Sequence, residues 1–147
     1  NVILAPHQRL FERDDTAQAL LESLGGLPHV HVDCGSFAMV DGSYTAAADI
    51  YLGDSSSQIA EYLIRPRPCV ILQSPGISWR SAEEGGYQPY GDCVTDVEAL
   101  WAAIEAAPAR HAGYRDLQAR FAATALGDRS ADAPRRAARE IVAALAR

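Results

Sequence analysis

The chain has no lysine: all 13 of its basic residues are arginine. That complement suits bidentate phosphate recognition, and it follows equally from a G+C-rich genome. Cysteine is scarce and odd in number. Cys34, Cys69 and Cys93 include no close pair, which argues against a disulfide frame or a metal knot and makes a reducing cytoplasm the expected setting. No apolar stretch approaches the roughly 20 residues that span a bilayer as a helix, and no signal peptide is visible. Positive charge is also in deficit. A net charge of −6 argues against a nucleic-acid partner, which needs a basic patch to offset phosphate. Wholesale disorder is excluded by 48% hydrophobic and 22% charged residues, which is ordinary globular usage.

What is present is enough chain for one domain with a proper core, 147 residues, read as a single domain over 1–147. It opens at Asn1 almost directly in a strand, and is expected to be a piece of something longer. Val2–Ala5 reads as a buried strand ended by Pro6. Thr16–Leu24 reads as a helix, with Leu20, Leu21 and Leu24 on one face and Gly25-Gly26 as its stop. His29–Asp33 alternates as a strand does, with His29 and His31 on its polar side. Asp41–Ala48 is a short helix candidate, and Asp49–Gly53 a third strand. Ser55–Ile64 reads as a helix broken by Arg65-Pro66-Arg67-Pro68. Cys69–Leu72 is a continuous apolar run of the kind buried on both faces.

A long loop from Gln73 to Tyr90 follows, then a brief strand near Cys93-Val94 and a helix over Asp96–Ala107. Two more helices, over 109–126 and 133–146, close the chain. The five arginines from Arg129 onward are interleaved with Asp132 and Glu140, which marks a solvated helix rather than a membrane face. His111 reads as helix surface. Strands alternating with helices imply an α/β fold: a Rossmann-like three-layer sandwich with a mostly parallel sheet covered on both faces. Ligands of such sheets bind at the carboxyl ends of strands.

The most informative stretch is Tyr51-Leu52-Gly53-Asp54-Ser55-Ser56-Ser57-Gln58. A strand runs into a tight turn, and a helix begins among three serines. The first amides of a helix lack internal partners, and its dipole adds positive potential there. A diphosphate placed at that end gains hydrogen bonds from those amides and from the hydroxyls of Ser55, Ser56 and Ser57. Asp54 then holds the turn or meets a donor hydroxyl. The same residues admit a purely structural role, because Ser55 followed by Gln58 forms a capping box without any ligand. A cap needs one serine, however, and here there are three.

Glu61 lies one turn beyond Ser57, where a carboxylate can accept hydrogen bonds from ribose hydroxyls, or can simply be solvated. His7, just past the first strand, sits on the ligand side of the sheet as a candidate proton acceptor or phosphate ligand. Arg9 is a further candidate phosphate partner. In the long loop, Arg80 is a candidate phosphate contact, and Trp79 or Tyr87 could stack on a base or cover a donor. An aromatic loop also suits docking of another domain.

The run YTAAADIYLGDSSSQIAEYLIRPRPCVIL resembles the carboxyl-terminal half of GT-B-fold enzymes, and among them the CDP-glycerol glycerophosphotransferase family. His7 matches that family's first histidine. Asp54, Ser56 and Ser57 match its serine motif, Glu61 its acidic position, and Arg67-Pro68 its basic-proline step. The loop through Arg80 and Gly85-Gly86-Tyr87 is loosely similar to the family's arginine–glycine–aromatic loop. Gln8 and Ser55 depart from it, standing where the family has proline and tyrosine. The family also has a central strand before the histidine strand, expected here upstream of Asn1 unless Val2–Ala5 takes its place.

The resemblance implies the C-terminal domain of a GT-B enzyme that transfers a glycosyl or glycerophosphate group from a nucleotide-diphosphate-linked donor, with no cofactor required and no metal. It implies cell-envelope polymer or glycan synthesis at the cytoplasmic side, an N-terminal acceptor-binding domain as partner, and peripheral membrane association through the parent protein. A UDP-N-acetylglucosamine 2-epimerase of the same fold is the alternative, although its Asp-Ser-Gly-Gly turn has glycines where this chain has serines. A non-catalytic nucleotide-binding or docking domain is a third.

Overall fold

The computed structural model describes residues 1–73, 86–125, 127 and 130–146. The chain divides into two compact units, Asn1–Ala48 and Asp49–Arg147.

In the first unit a strand β1 (Val2–Leu4) is followed by a 3-10 turn at Gln8–Leu10, helix α1 (Ala17–Leu24) and strand β2 (Val30–Val32). A second 3-10 turn at Phe37–Met39 leads to helix α2 (Ser43–Ala47). β1 and β2 are parallel, with Val2 opposite Val30 and Leu4 opposite Val32. A parallel pair needs a crossover, and α1 supplies it. Asp14 organises the entry to α1 by accepting from the Thr16 amide at 2.9 Å and its hydroxyl at 2.7 Å. The first strand is not buried as its composition suggests: Val2 and Ile3 are exposed, and of α1 only Ala17 is buried, with Leu20 65% exposed. An apolar run specifies a strand, but burial depends on what covers its faces. Here α1 packs on β2.

The second unit begins with strand β3 (Tyr51–Gly53), helix α3 (Gln58–Tyr62) and strand β4 (Cys69–Leu72). A 3-10 turn at Gln88–Tyr90 enters strand β5 (Asp92–Val94), which feeds helix α4 (Val97–Arg110). A turn at His111–Gly113 and helices α5 (Arg115–Ala125) and α6 (Ala133–Leu145) follow. The three strands lie in the order β3-β4-β5, all parallel. Central β4 is covered on both sides, with Cys69, Val70 and Ile71 almost wholly buried, as its uninterrupted apolar run requires. α4 lays Leu100, Ala103, Ile104 and Ala107 against Val70 and Val94.

Two side chains tie this unit together. Tyr62, fully buried, brings its hydroxyl to the carbonyls of Asp49 at 2.9 Å and Pro68 at 2.7 Å, pinning the starts of β3 and β4. Gln118 of α5 donates its amide to the carbonyls of Tyr90 at 2.6 Å and Arg67 at 3.0 Å. Gly91 is required where it stands, because any Cβ would run into the Cys69 carbonyl and thiol.

Three boundaries depart from the sequence reading. α3 covers Gln58–Tyr62 rather than Ser55–Ile64, since serines hydrogen-bond locally and favour turns over helix. α4 runs through Pro108 to Arg110, with the His111 amide reaching the Ala107 carbonyl beyond the proline. The segment from 109 breaks into the end of α4, a 3-10 turn and α5. The architecture is α/β with two small parallel sheets, compatible with a Rossmann-like fold. The described strands form sheets of two and three rather than one continuous sheet, because alternation predicts parallel pairing without saying which strands are neighbours. Among the described residues no helix is long and apolar enough to cross a membrane.

Candidate functional site

The serine turn opens at the carboxyl end of β3. Tyr51 folds its ring back over Gly53, so that any Cβ at that glycine would strike the ring. Burial pushes the Tyr51 phenol up, and a hydrogen bond with the Ser56 side chain offsets part of that rise. Ser56 is half-buried, while Asp54, Ser55 and Ser57 are exposed. The Ser56 amide donates to the Asp54 carbonyl at 2.9 Å, and the carbonyls of Ser56 and Ser57 accept from Ile59 at 3.2 Å and Ala60 at 3.0 Å.

The capping box is not formed. Ser57, not Ser55, holds the N-cap position, with helical dihedrals of −62° and −20° and no side-chain cap bond. Because α3 has only five residues, its dipole contributes little, and the turn's own hydroxyls and amides are the donors that matter. Gln88 reaches in from 33 residues away, its amide 3.5 Å from the Ser55 hydroxyl. The cluster offers several donors to an anion and, in Asp54, one acceptor suited to a hydroxyl.

Glu61 is exposed on the same short helix. Tyr87 is half-buried, its ring edge-on to Phe121 at 5.9 Å and 6.4 Å from Tyr90, so the ring expected to stack on a base is engaged in a three-ring cluster. Arg80 and Trp79 lie outside the described residues. Of the remaining candidates, His7 and Arg9 belong to the first unit and the serine turn to the second. His7 is exposed, and its Nδ1 accepts from the Arg9 amide at 3.1 Å while its carbonyl accepts from Leu10 at 2.8 Å. Both bonds cap the turn at Gln8–Leu10. Arg9 lies 4.0 Å from Glu12, both side chains well exposed, a pairing of small energetic weight.

Sequence reasoning passed over three polar clusters. In the first unit Asp33 is buried at the end of β2 and bonds Ser36 and Tyr44, and Tyr44 in turn meets His31. The run Asp33-Cys34-Gly35-Ser36 carries a local turn signal, but Tyr44 arrives from 11 residues away and nothing local announces it. In the second unit Asp92 accepts from the Tyr114 hydroxyl at 2.8 Å and lies 3.4 Å from Arg110. His111 is half-buried rather than surface, 3.1 Å from Gln118 Oε1.

All three cysteines are free. Burial pushes the Cys69 thiol up to about 12 and the Cys93 thiol up to about 11, so neither supplies a thiolate nucleophile at neutral pH. Among the described residues no group of three or more His, Cys, Asp or Glu could hold a metal ion. Comparison of the chain with family models, curated proteins and solved structures finds no match.

Proposed function

We propose that the chain binds the diphosphate of a nucleotide-linked donor at Asp54–Gln58, as part of a transferase that moves a glycosyl or glycerophosphate group in the manner of the GT-B glycerophosphotransferases it resembles. The observation that carries this reading is a run of three serines at the carboxyl end of a parallel strand whose following helix has no side-chain cap. Ser55 and Ser57 are exposed, and Ser56 is half-buried. The Ser55 and Ser57 hydroxyls would donate to the diphosphate oxygens. Asp54, itself anionic, would meet a donor hydroxyl rather than phosphate, and Glu61 the ribose. The resemblance gives His7 a part in the transfer reaction. Catalysis of this kind is mostly positioning and neutralisation of the leaving diphosphate, and it calls for no cofactor beyond the donor.

Calorimetric titration with CDP-, UDP- and GDP-linked compounds tests the reading. One of them is expected to bind, and Ser55→Ala with Ser57→Ala to weaken it about tenfold or more, since a hydrogen bond to a charged group contributes roughly 1.5–3 kcal/mol. Equal affinity in the double variant, with the fold intact, would remove the serine turn from the site. A second reading, a non-catalytic docking domain, draws on Val97 and Trp101 of α4, which are 71% and 68% exposed. Donor turnover that survives His7→Ala would favour it. An isomerised nucleotide sugar among the products would point instead to epimerase chemistry.

A further inference from the structure

A separate centre lies in the unit Asn1–Ala48. We propose that His31 is a general base whose Nδ1 takes the proton from a hydroxyl, of water or a small alcohol, as that hydroxyl attacks an activated ester, with Tyr44 and Asp33 as positioning residues behind it. The chain of reasoning starts at Asp33. Its Oδ1 accepts from the amides of Gly35 at 3.0 Å and Ser36 at 2.8 Å, and its Oδ2 accepts from the Ser36 hydroxyl and from the Tyr44 hydroxyl at 2.6 Å. The hydroxyl bonds of Ser36 and Tyr44, followed by the two amides, hold the carboxyl well below the usual carboxylate range. Asp33 is therefore an acceptor only at neutral pH.

Tyr44 has a single proton, and it is given to Asp33. Its oxygen lies 2.8 Å from His31 Nε2, so in that contact the phenol must accept and Nε2 must carry hydrogen. The neutral imidazole is thereby fixed with its lone pair on Nδ1. The ring is held against that of Tyr44, centroids 5.6 Å apart, yet His31 is exposed. Among the described residues nothing bonds Nδ1. A proton arriving there makes an imidazolium, which the Asp33 carboxylate stabilises through the Tyr44 hydrogen bonds. This is the tautomer-fixing and charge-stabilising role that an aspartate plays behind a catalytic histidine, with a tyrosine interposed. In the step itself, the hydroxyl oxygen bonds the acyl carbon as its proton moves to Nδ1, the bond to the leaving alkoxide breaks, and the imidazolium returns the proton to solvent.

His29, two residues earlier and exposed, has no side-chain bond among the described residues and serves as an internal control. The inference stands apart from the phosphate reading, whose serine turn belongs to the other unit.

The test is the ring nitrogen spectrum of 15N-histidine-labelled chain at neutral and mildly alkaline pH, with hydrolysis of p-nitrophenyl acetate measured on the same samples. His31 is expected in one tautomer, hydrogen on Nε2, and His29 in the mixture of free imidazole. Tyr44→Phe should return His31 to that mixture. Asp33→Asn should reverse it, because the asparagine amide would donate to the Tyr44 oxygen and turn the tyrosine proton toward Nε2. Hydrolysis should fall severalfold in His31→Gln and in Tyr44→Phe, and be unchanged in His29→Gln. A tautomer mixture at His31 in the unaltered chain would overturn the proposal. So would a locked tautomer whose loss leaves hydrolysis unchanged.

Discussion

Gln118 has no exposed surface, and every polar atom of its side chain is used. Its Nε2 serves the Tyr90 and Arg67 carbonyls, and its Oε1 faces His111. Gln118→Leu keeps the volume but takes the amide from both carbonyls, leaving the Cys69 thiol, a weaker donor, on that of Tyr90, so a loss of about 1–3 kcal/mol is expected in urea unfolding. An unchanged midpoint would mean that those carbonyls find other donors. The position was half legible. Tyr114, Leu117 and Phe121 mark one side of this helix as the packed side, and position 118 falls on it, as does buried Ala122. That a glutamine there would be a clamp rather than a surface residue depends on two carbonyls from distant turns. The serine turn is the converse. Its residues stand out in the sequence, but only the structure shows that Ser56 alone of the three is half-buried and that the Tyr51 ring lies over Gly53.

At the scale of elements, apolar runs and alternation located all five described strands to within two residues. Cys69–Leu72 was read to the residue, because a run flanked by Pro68 and apolar throughout leaves little choice. Helix ends were less legible. Serine and proline bias an end without deciding it: α3 begins three residues late, and α4 passes through Pro108 because Ala103 and Ala107 are anchored in the core. α6 bears out the reading of a solvated helix, although it carries an apolar face. Ile141, Val142 and Leu145 line up at helical spacing, yet they are 61%, 66% and 83% exposed, and the helix buries no residue. Removal of residues 131–147 should therefore change the unfolding free energy of the remainder, read from its urea transition, by less than about 0.5 kcal/mol, the usual range for surface changes. A larger loss would show that α6 packs on the chain in solution.

At the scale of the whole molecule, the two units should respond differently to acid. Among the described residues, the carboxyls held below their ordinary value, Asp14, Asp33 and Asp41, all lie in Asn1–Ala48. A carboxyl with a lowered folded pKa stabilises fully above the unfolded value, about 3.9, and that contribution is lost as pH falls toward the folded value. Acidification below about pH 4 should thus weaken the first unit ahead of the second. Amide resonances of Ile3 and His31 are expected to lose their native shifts before those of Val70 and Ile71. Simultaneous loss would show that Asp33 and its neighbours do not govern acid stability. By itself the sequence determined the alternation of strands and helices, their parallel pairing and the placing of a serine turn after a strand, because these follow from local periodicity and turn chemistry. Only the tertiary structure decided that the strands divide into two sheets, that β1 and α6 stay exposed, and that Tyr44 joins His31 to Asp33. Each of those depends on which distant surfaces meet, and a linear pattern carries no record of that.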